Sequence, residues 1–174
     1  MDAQPESIPF DLRRKKSNMP NNPTPRDVQL VQESFSALEA NLSELVRVFY
    51  GDLFAQNPQV RRMFPNDLTE QQKKLAATLK VAVNGASRLE QLVPALQALG
   101  EKHAAYGVQP AHFDAVGAAL LGALAKCAGS LWSNELESAW ARVYGLIASV
   151  MIEAMNRKRT IDGSLAPLTL QSAV

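Results

Sequence analysis

Apolar residues along this chain recur at steps of three and four, the period of one face of an α-helix. Val28, Val31, Phe35, Leu38 and Leu42 form a first stripe, and Leu42, Leu45, Val46, Phe49 and Leu53 a second. Leu68, Leu75, Leu79 and Val83 mark a third, and Leu89, Leu92, Leu96 and Leu99 a fourth. Phe113, Val116, Leu120, Leu124 and Cys127 share one face, as do Leu136, Trp140, Val143, Ile147 and Met151. No sustained two-residue alternation occurs and no Asn-Gly turn joins two β-rich runs, so strands are not expected.

The breaks between stripes carry matching punctuation. Thr24-Pro25 suits the cap and first turn of a helix. Asn57-Pro58 and Phe64-Pro65 interrupt the chain ahead of the third stripe, because a residue before proline avoids the helical region. Pro110 follows the turn Tyr106-Gly107-Val108, and Ser133 can cap the last helix. Pro94 sits early in the fourth segment and is expected to split it into two short pieces. The pattern predicts an all-α domain of six to eight helices, the last two long.

Composition bounds this picture. At 174 residues the chain suits one domain with flanking tails. It is 47% apolar and 20% charged, a globular balance rather than a disordered one. Residues 1–25 hold five of the ten prolines and the run Arg13-Arg14-Lys15-Lys16, and are expected to be a disordered arm. Residues 26–157 are then the folded domain, and 158–174, beginning within the run Arg157-Lys158-Arg159, a flexible tail. The net charge of +1 calls for no nucleic-acid partner, and no aromatic residues interleave the basic run of the arm. Val116–Ala125, the longest mostly apolar stretch, falls well short of the ~20 residues that cross a bilayer, so no membrane span is expected. The first 25 residues lack a continuous apolar signal segment, which gives a cytoplasmic expectation. The single Cys127 excludes an intramolecular disulfide and reads as a small buried hydrophobe.

Chemistry concentrates on two histidines. His112 follows Pro110 at a helix start and reads as a surface or capping residue. His103 lies four residues after Leu99 and seven after Leu96, so it shares their face. A lone histidine there is either a core residue bonded to backbone or a ligand. One imidazole is too few for zinc but enough for haem iron, whose other four donors come from the porphyrin. Spacing alone favours the core residue. Tyr50 alone reads as a half-buried aromatic, Phe64 as ordinary core, and Gln71, within Glu70-Gln71-Gln72-Lys73-Lys74, as part of a solvated face.

Taken in order along the chain, however, these residues form a pattern. Phe49-Tyr50, Met63-Phe64-Pro65, Gln71-x-x-Lys74-Leu75, the run Leu99-Gly100-Glu101-Lys102-His103-Ala104-Ala105-Tyr106-Gly107-Val108, and Ala139-Trp140-Ala141-Arg142-Val143-Tyr144-Gly145 together resemble a globin. The similarity is to bacterial single-domain globins and to the globin domain of flavohaemoglobins, and it covers roughly residues 27–155.

The resemblance implies a globin-like fold around a haem pocket holding haem b, with iron bonded by His103. The second ring nitrogen of His103 would be directed to a backbone carbonyl near Leu99. Phe64 would stack on the porphyrin; Tyr50 and Gln71 would reach the distal side, with Leu75 closing the pocket. Val108 would pad the proximal edge. Lys74 would lie by a propionate, or else be a solvated lysine. Oxygen, nitric oxide and carbon monoxide would be the ligands, with Tyr50 and Gln71 donating hydrogen bonds that favour tight oxygen binding. No residue is assigned a catalytic role.

Departures from the flavohaemoglobin pattern matter as well. The chain ends before a reductase domain would begin, so nitric oxide dioxygenation would need an external reductase. Phe113 stands where those proteins place a tyrosine, and Arg157 where they place an acidic partner for the proximal histidine. The primary expectation is therefore reversible gas binding, with dioxygenation second. A gas sensor acting in trans and a haem-free helical interaction module are the further alternatives.

Overall fold

Helix α1 (Pro25–Leu38) starts where the sequence marks it. Thr24 Oγ1 accepts from the Asp27 N–H at 3.1 Å, and the Asp27 carboxylate accepts from the Thr24 N–H at 2.7 Å. This reciprocal box, with Pro25 at the first helical position, satisfies donors that a helix start leaves free. Asp27, only 4% exposed, also receives Arg142 from the last helix at 2.8 Å. Burial pushes the Asp27 carboxyl up, but the Thr24 bonds and the Arg142 guanidinium outweigh it and hold the carboxyl below its usual value.

The computed structural model describes residues 22–165, and among them the chain is helical with no strands. A 3-10 turn at Glu39–Asn41 leads into α2 (Leu42–Gln56). Asn57-Pro58 ends it, a second 3-10 turn follows at Pro58–Met63, and Phe64 then runs extended. Next come α3 (Thr69–Asn84), a 3-10 turn at Ala86–Arg88, and α4 (Leu89–Ala105). Helix α5 (Pro110–Ala128) is capped by Gln109, whose backbone N–H donates to His112 Nδ1 at 3.1 Å, so His112 is a capping residue. After Gly129–Leu131, α6 (Asn134–Leu165) closes the described chain, with Ser133 Oγ accepting from the Leu136 N–H at 3.1 Å.

Two boundaries differ from expectation. Pro94 does not split its segment, since α4 runs unbroken through it and the irregularity falls earlier, at Ala86–Arg88. Proline removes one N–H from the ladder, a local cost that the packing of α4 along α6 offsets. Nor does the last helix stop near Arg157: it continues to Leu165. Its basic run finds partners along the way, with Arg159 donating to the Val108 carbonyl and Lys158 pairing with Asp162 one turn on at 3.0 Å. Residues 1–21 of the expected arm and 166–174 of the expected tail lie outside the described residues.

Helix α6 packs on α4, α1 and α5, while α2 packs on α5 and α3. Trp140 shows how α6 and α1 interlock. Its ring lies 6.3 Å from that of Phe35, and its Nε1 donates to Ser34 Oγ at 3.0 Å, so the indole is buried without stranding its N–H. Residues 110–131, with mean hydropathy 1.3, are long and apolar enough by composition to cross a bilayer, a longer window than Val116–Ala125 suggested. In the fold Phe113, Gly117, Ala119, Leu120, Ala123 and Leu124 of α5 are buried among the other helices, so one face of this helix belongs to the core.

Candidate functional site

His103 sits in the last turn of α4. Its Nδ1 lies 2.7 Å from the Leu99 carbonyl oxygen, the acceptor that helical geometry places one turn back. A carbonyl has no proton to give, so in the neutral ring Nδ1 carries the hydrogen and Nε2 keeps its lone pair. That is the tautomer a metal-ligating histidine needs. The ring is half-buried, 6.0 Å from that of Phe113 and 6.3 Å from that of exposed Tyr106. The helix then turns back through Gly107 at φ +74°, a left-handed conformation suited to glycine, and the Val108 N–H donates to the His103 carbonyl at 3.1 Å. Val108 is half-buried beside this group.

A second group gathers from α2, the turn after it and α3. Tyr50 is 3% exposed, with ring centroids of Phe49, Phe54 and Phe64 at 4.9, 5.6 and 5.7 Å. Its hydroxyl donates to the main-chain carbonyl of Gln71 at 3.5 Å. That is long for such a bond, so the hydroxyl is held mainly by ring packing. Burial pushes the phenol pKa up, with the Gln71 bond opposing weakly, so the O–H persists as a donor at ordinary pH. Gln71 and Leu75 are half-buried on α3, and Leu75 packs on the main core. Lys74 is exposed, its carbonyl accepting from Thr78 Oγ1 at 2.8 Å.

The apolar core is itself divided between these groups. One cluster joins α1, α2, α3, much of α5 and the start of α6, and includes Tyr50 with Phe64 and Leu75 against it. The other comprises Phe113, Ala148, Met151 and Met155, with Leu96, Leu99 and Val108 against it. Among the described residues only Tyr144 and Ile147 pack on both. Helix α4 packs along α6 and makes no extensive contact with α3. Of its residues Gly100 alone is fully buried, although Leu92, Leu96, Leu99 and His103 form a continuous stripe. Two half-covered faces, one bearing an imidazole with a free Nε2 and the other apolar with a phenol donor, fit a flat apolar group with a metal at its centre. His103, Phe64, Leu75 and Val108 are the residues that would hold it.

Three supporting residues escaped sequence reasoning. Gly100 meets the α6 backbone so closely that a Cβ there would lie 2.9 Å from Met151 Cα. Tyr144 of α6 donates to the Phe113 carbonyl at 2.5 Å and lies against Gly117, where a Cβ would come 2.6 Å from its ring. Burial pushes its phenol pKa far up, and the nearby Asp114 carboxylate adds to this. Arg61 braces the turn that carries Phe64. In sequence Arg61-Arg62 is only a charge pair, and Tyr144 lay inside a matched run without a role. Arg157, expected at the place of an acidic partner, is exposed; Ala148, Met151 and Met155 are the α6 side chains buried in the cluster with Phe113.

Comparison with known proteins bears on the fold. The family model described as Globin matches residues 47–151. The flavohemoprotein of Deinococcus radiodurans is 33% identical over 132 residues, covering 74% of this chain and 33% of that protein. The chain thus spans about a third of the length of the curated relatives it matches. Among solved structures, a bacterial globin from Campylobacter jejuni is 26% identical with a TM-score of 0.70, covering 79% of this chain and 99% of that one. A flavohemoglobin from Malassezia yamatoensis with bound FAD and heme shares the fold at 24% identity and TM-score 0.67, over 80% of this chain and 37% of that one.

Proposed function

The chain belongs to the globin family, and on that premise we propose that it holds haem through His103 and binds diatomic gases reversibly, oxygen most tightly. The observation that carries this reading is the half-covered stripe of α4 that ends in His103, where the 2.7 Å bond from Nδ1 to the Leu99 carbonyl orients the ring and leaves Nε2 free to ligate. Iron porphyrin supplies the centre to which the gas binds. With a single cysteine the chain lacks the pair that attaches haem covalently, which favours haem b.

The protein's own contribution is selectivity. The buried Tyr50 hydroxyl is loosely engaged with the Gln71 carbonyl and can turn to a better acceptor. The Gln71 side-chain amide, half-buried, is the second donor. A gas that accumulates negative charge gains about 1.5–3 kcal/mol from such a bond, roughly 10- to 150-fold in affinity. Oxygen accumulates more charge than carbon monoxide and benefits more. Similarity to flavohemoproteins favours a second reading, oxygen-dependent conversion of nitric oxide to nitrate at the expense of a reductant.

Hemin titration is the direct test. A sharp Soret band that survives desalting is expected for the unaltered chain and should disappear in His103→Ala. A chain that stays colourless sinks the proposal. Repeated nitrate formation from nitric oxide, oxygen and a reductant selects the second reading, whereas a single stoichiometric burst selects reversible binding.

A further inference from the structure

The turn between α2 and α3 is built around one guanidinium. Arg61 Nη1 donates to the carbonyls of Phe64 at 3.1 Å and Pro65 at 2.9 Å, and Nη2 to that of Asn66 at 3.2 Å. The Phe64 N–H in turn donates to the Arg61 carbonyl at 3.2 Å, so residues 61–66 close on themselves. These three successive carbonyls follow an extended residue and have no helical ladder to join, which makes a planar fork of donors the fitting partner. The same guanidinium carbon lies 5.1 Å from the Phe54 ring centroid. Phe54 packs edge-on against Phe64 at 5.3 Å, and both rings pack on Tyr50. Arg61 therefore grips Phe64 from two sides, through its backbone and through the ring it leans on.

We infer that Arg61 is a positioning residue for the distal hydroxyl: by locking Phe64 and Phe54 it fixes the Tyr50 ring, and with it the direction in which Tyr50 donates. The long bond from that hydroxyl to Gln71 gives the ring little hold of its own, so the aromatic packing decides its angle. The assignment rests on the haem reading above for its consequence, though not for its geometry. Lysine at this position keeps the charge but presents a single point donor that cannot span three carbonyls.

The test crosses Arg61→Lys and Arg61→Ala with Tyr50→Phe. In the chain with Tyr50, Arg61→Ala should speed oxygen release from the hemin-loaded, reduced protein on the order of tenfold, and Arg61→Lys should fall nearer to alanine than to arginine. In the Tyr50→Phe background neither change should alter release further. The infrared band of carbon monoxide added to the reduced protein, narrow in the unaltered chain, should broaden or split in both Arg61 variants. In the haem-free chain, amide exchange at Phe64, whose N–H donates to the Arg61 carbonyl, should accelerate on the order of tenfold in Arg61→Ala while α5 stays protected. Equal acceleration of oxygen release in both Tyr50 backgrounds overturns the assignment, because Arg61 would then be acting without Tyr50. Unchanged exchange overturns it as well. A chain that takes up no hemin sinks the haem reading, and the exchange measurement still decides whether the guanidinium holds the turn.

Discussion

At the scale of single residues, the site is a matter of protons and their addresses. The Leu99 carbonyl assigns the His103 proton to Nδ1, and burial keeps the Tyr50 proton on its oxygen. Tyr50→Phe removes the donor while preserving the ring that Phe49, Phe54 and Phe64 enclose. Oxygen dissociation from the hemin-loaded protein should therefore rise roughly 10- to 150-fold. Carbon monoxide dissociation should change much less, and flash photolysis with ligand replacement measures both. Comparable shifts for the two gases would mean that Tyr50 acts by shape rather than by its hydroxyl. The role of His103 was open in the sequence between core residue and ligand. Its bond to Leu99 fits both; the half-covered stripe around it is what tips the balance.

At the scale of elements, the contact between α4 and α6 sets where His103 stands. Gly100, one turn before it, lets the two backbones approach, and an added Cβ would overlap the Met151 main chain. Backbone cannot swing aside as a flexible side chain can. Gly100→Ala should cost about 1–3 kcal/mol of stability, read by denaturant unfolding of the haem-free chain. It should also speed hemin loss, because α4 must tilt away and carry the imidazole with it. The helices themselves were legible because capping and periodicity are local: Thr24, Ser133 and Pro110 all mark starts. The end of α6 was not, because Arg159 finds its acceptor on Val108, fifty-one residues earlier in the chain.

At the scale of the whole molecule, two apolar clusters joined through Tyr144 and Ile147 leave faces that a single core would have closed. Hemin bound against those faces should stabilise the fold as a whole. At hemin concentrations about 100-fold above the dissociation constant, linkage adds about 2.7 kcal/mol, visible as a raised denaturant midpoint and slower amide exchange along α4. His103→Ala should lose most of that gain. The sequence by itself determined where most helices start and the stripe that carries His103, because each depends on residues three or four positions apart and helix geometry alone brings them together, while the bond from His103 to Leu99 came only from the family resemblance. The tertiary structure alone decided that Tyr50 meets Phe64 and the Gln71 backbone, that Gly100 touches Met151, and that Arg159 reaches Val108. Those neighbours are set by the path of the chain between helices, and no spacing along the sequence encodes them.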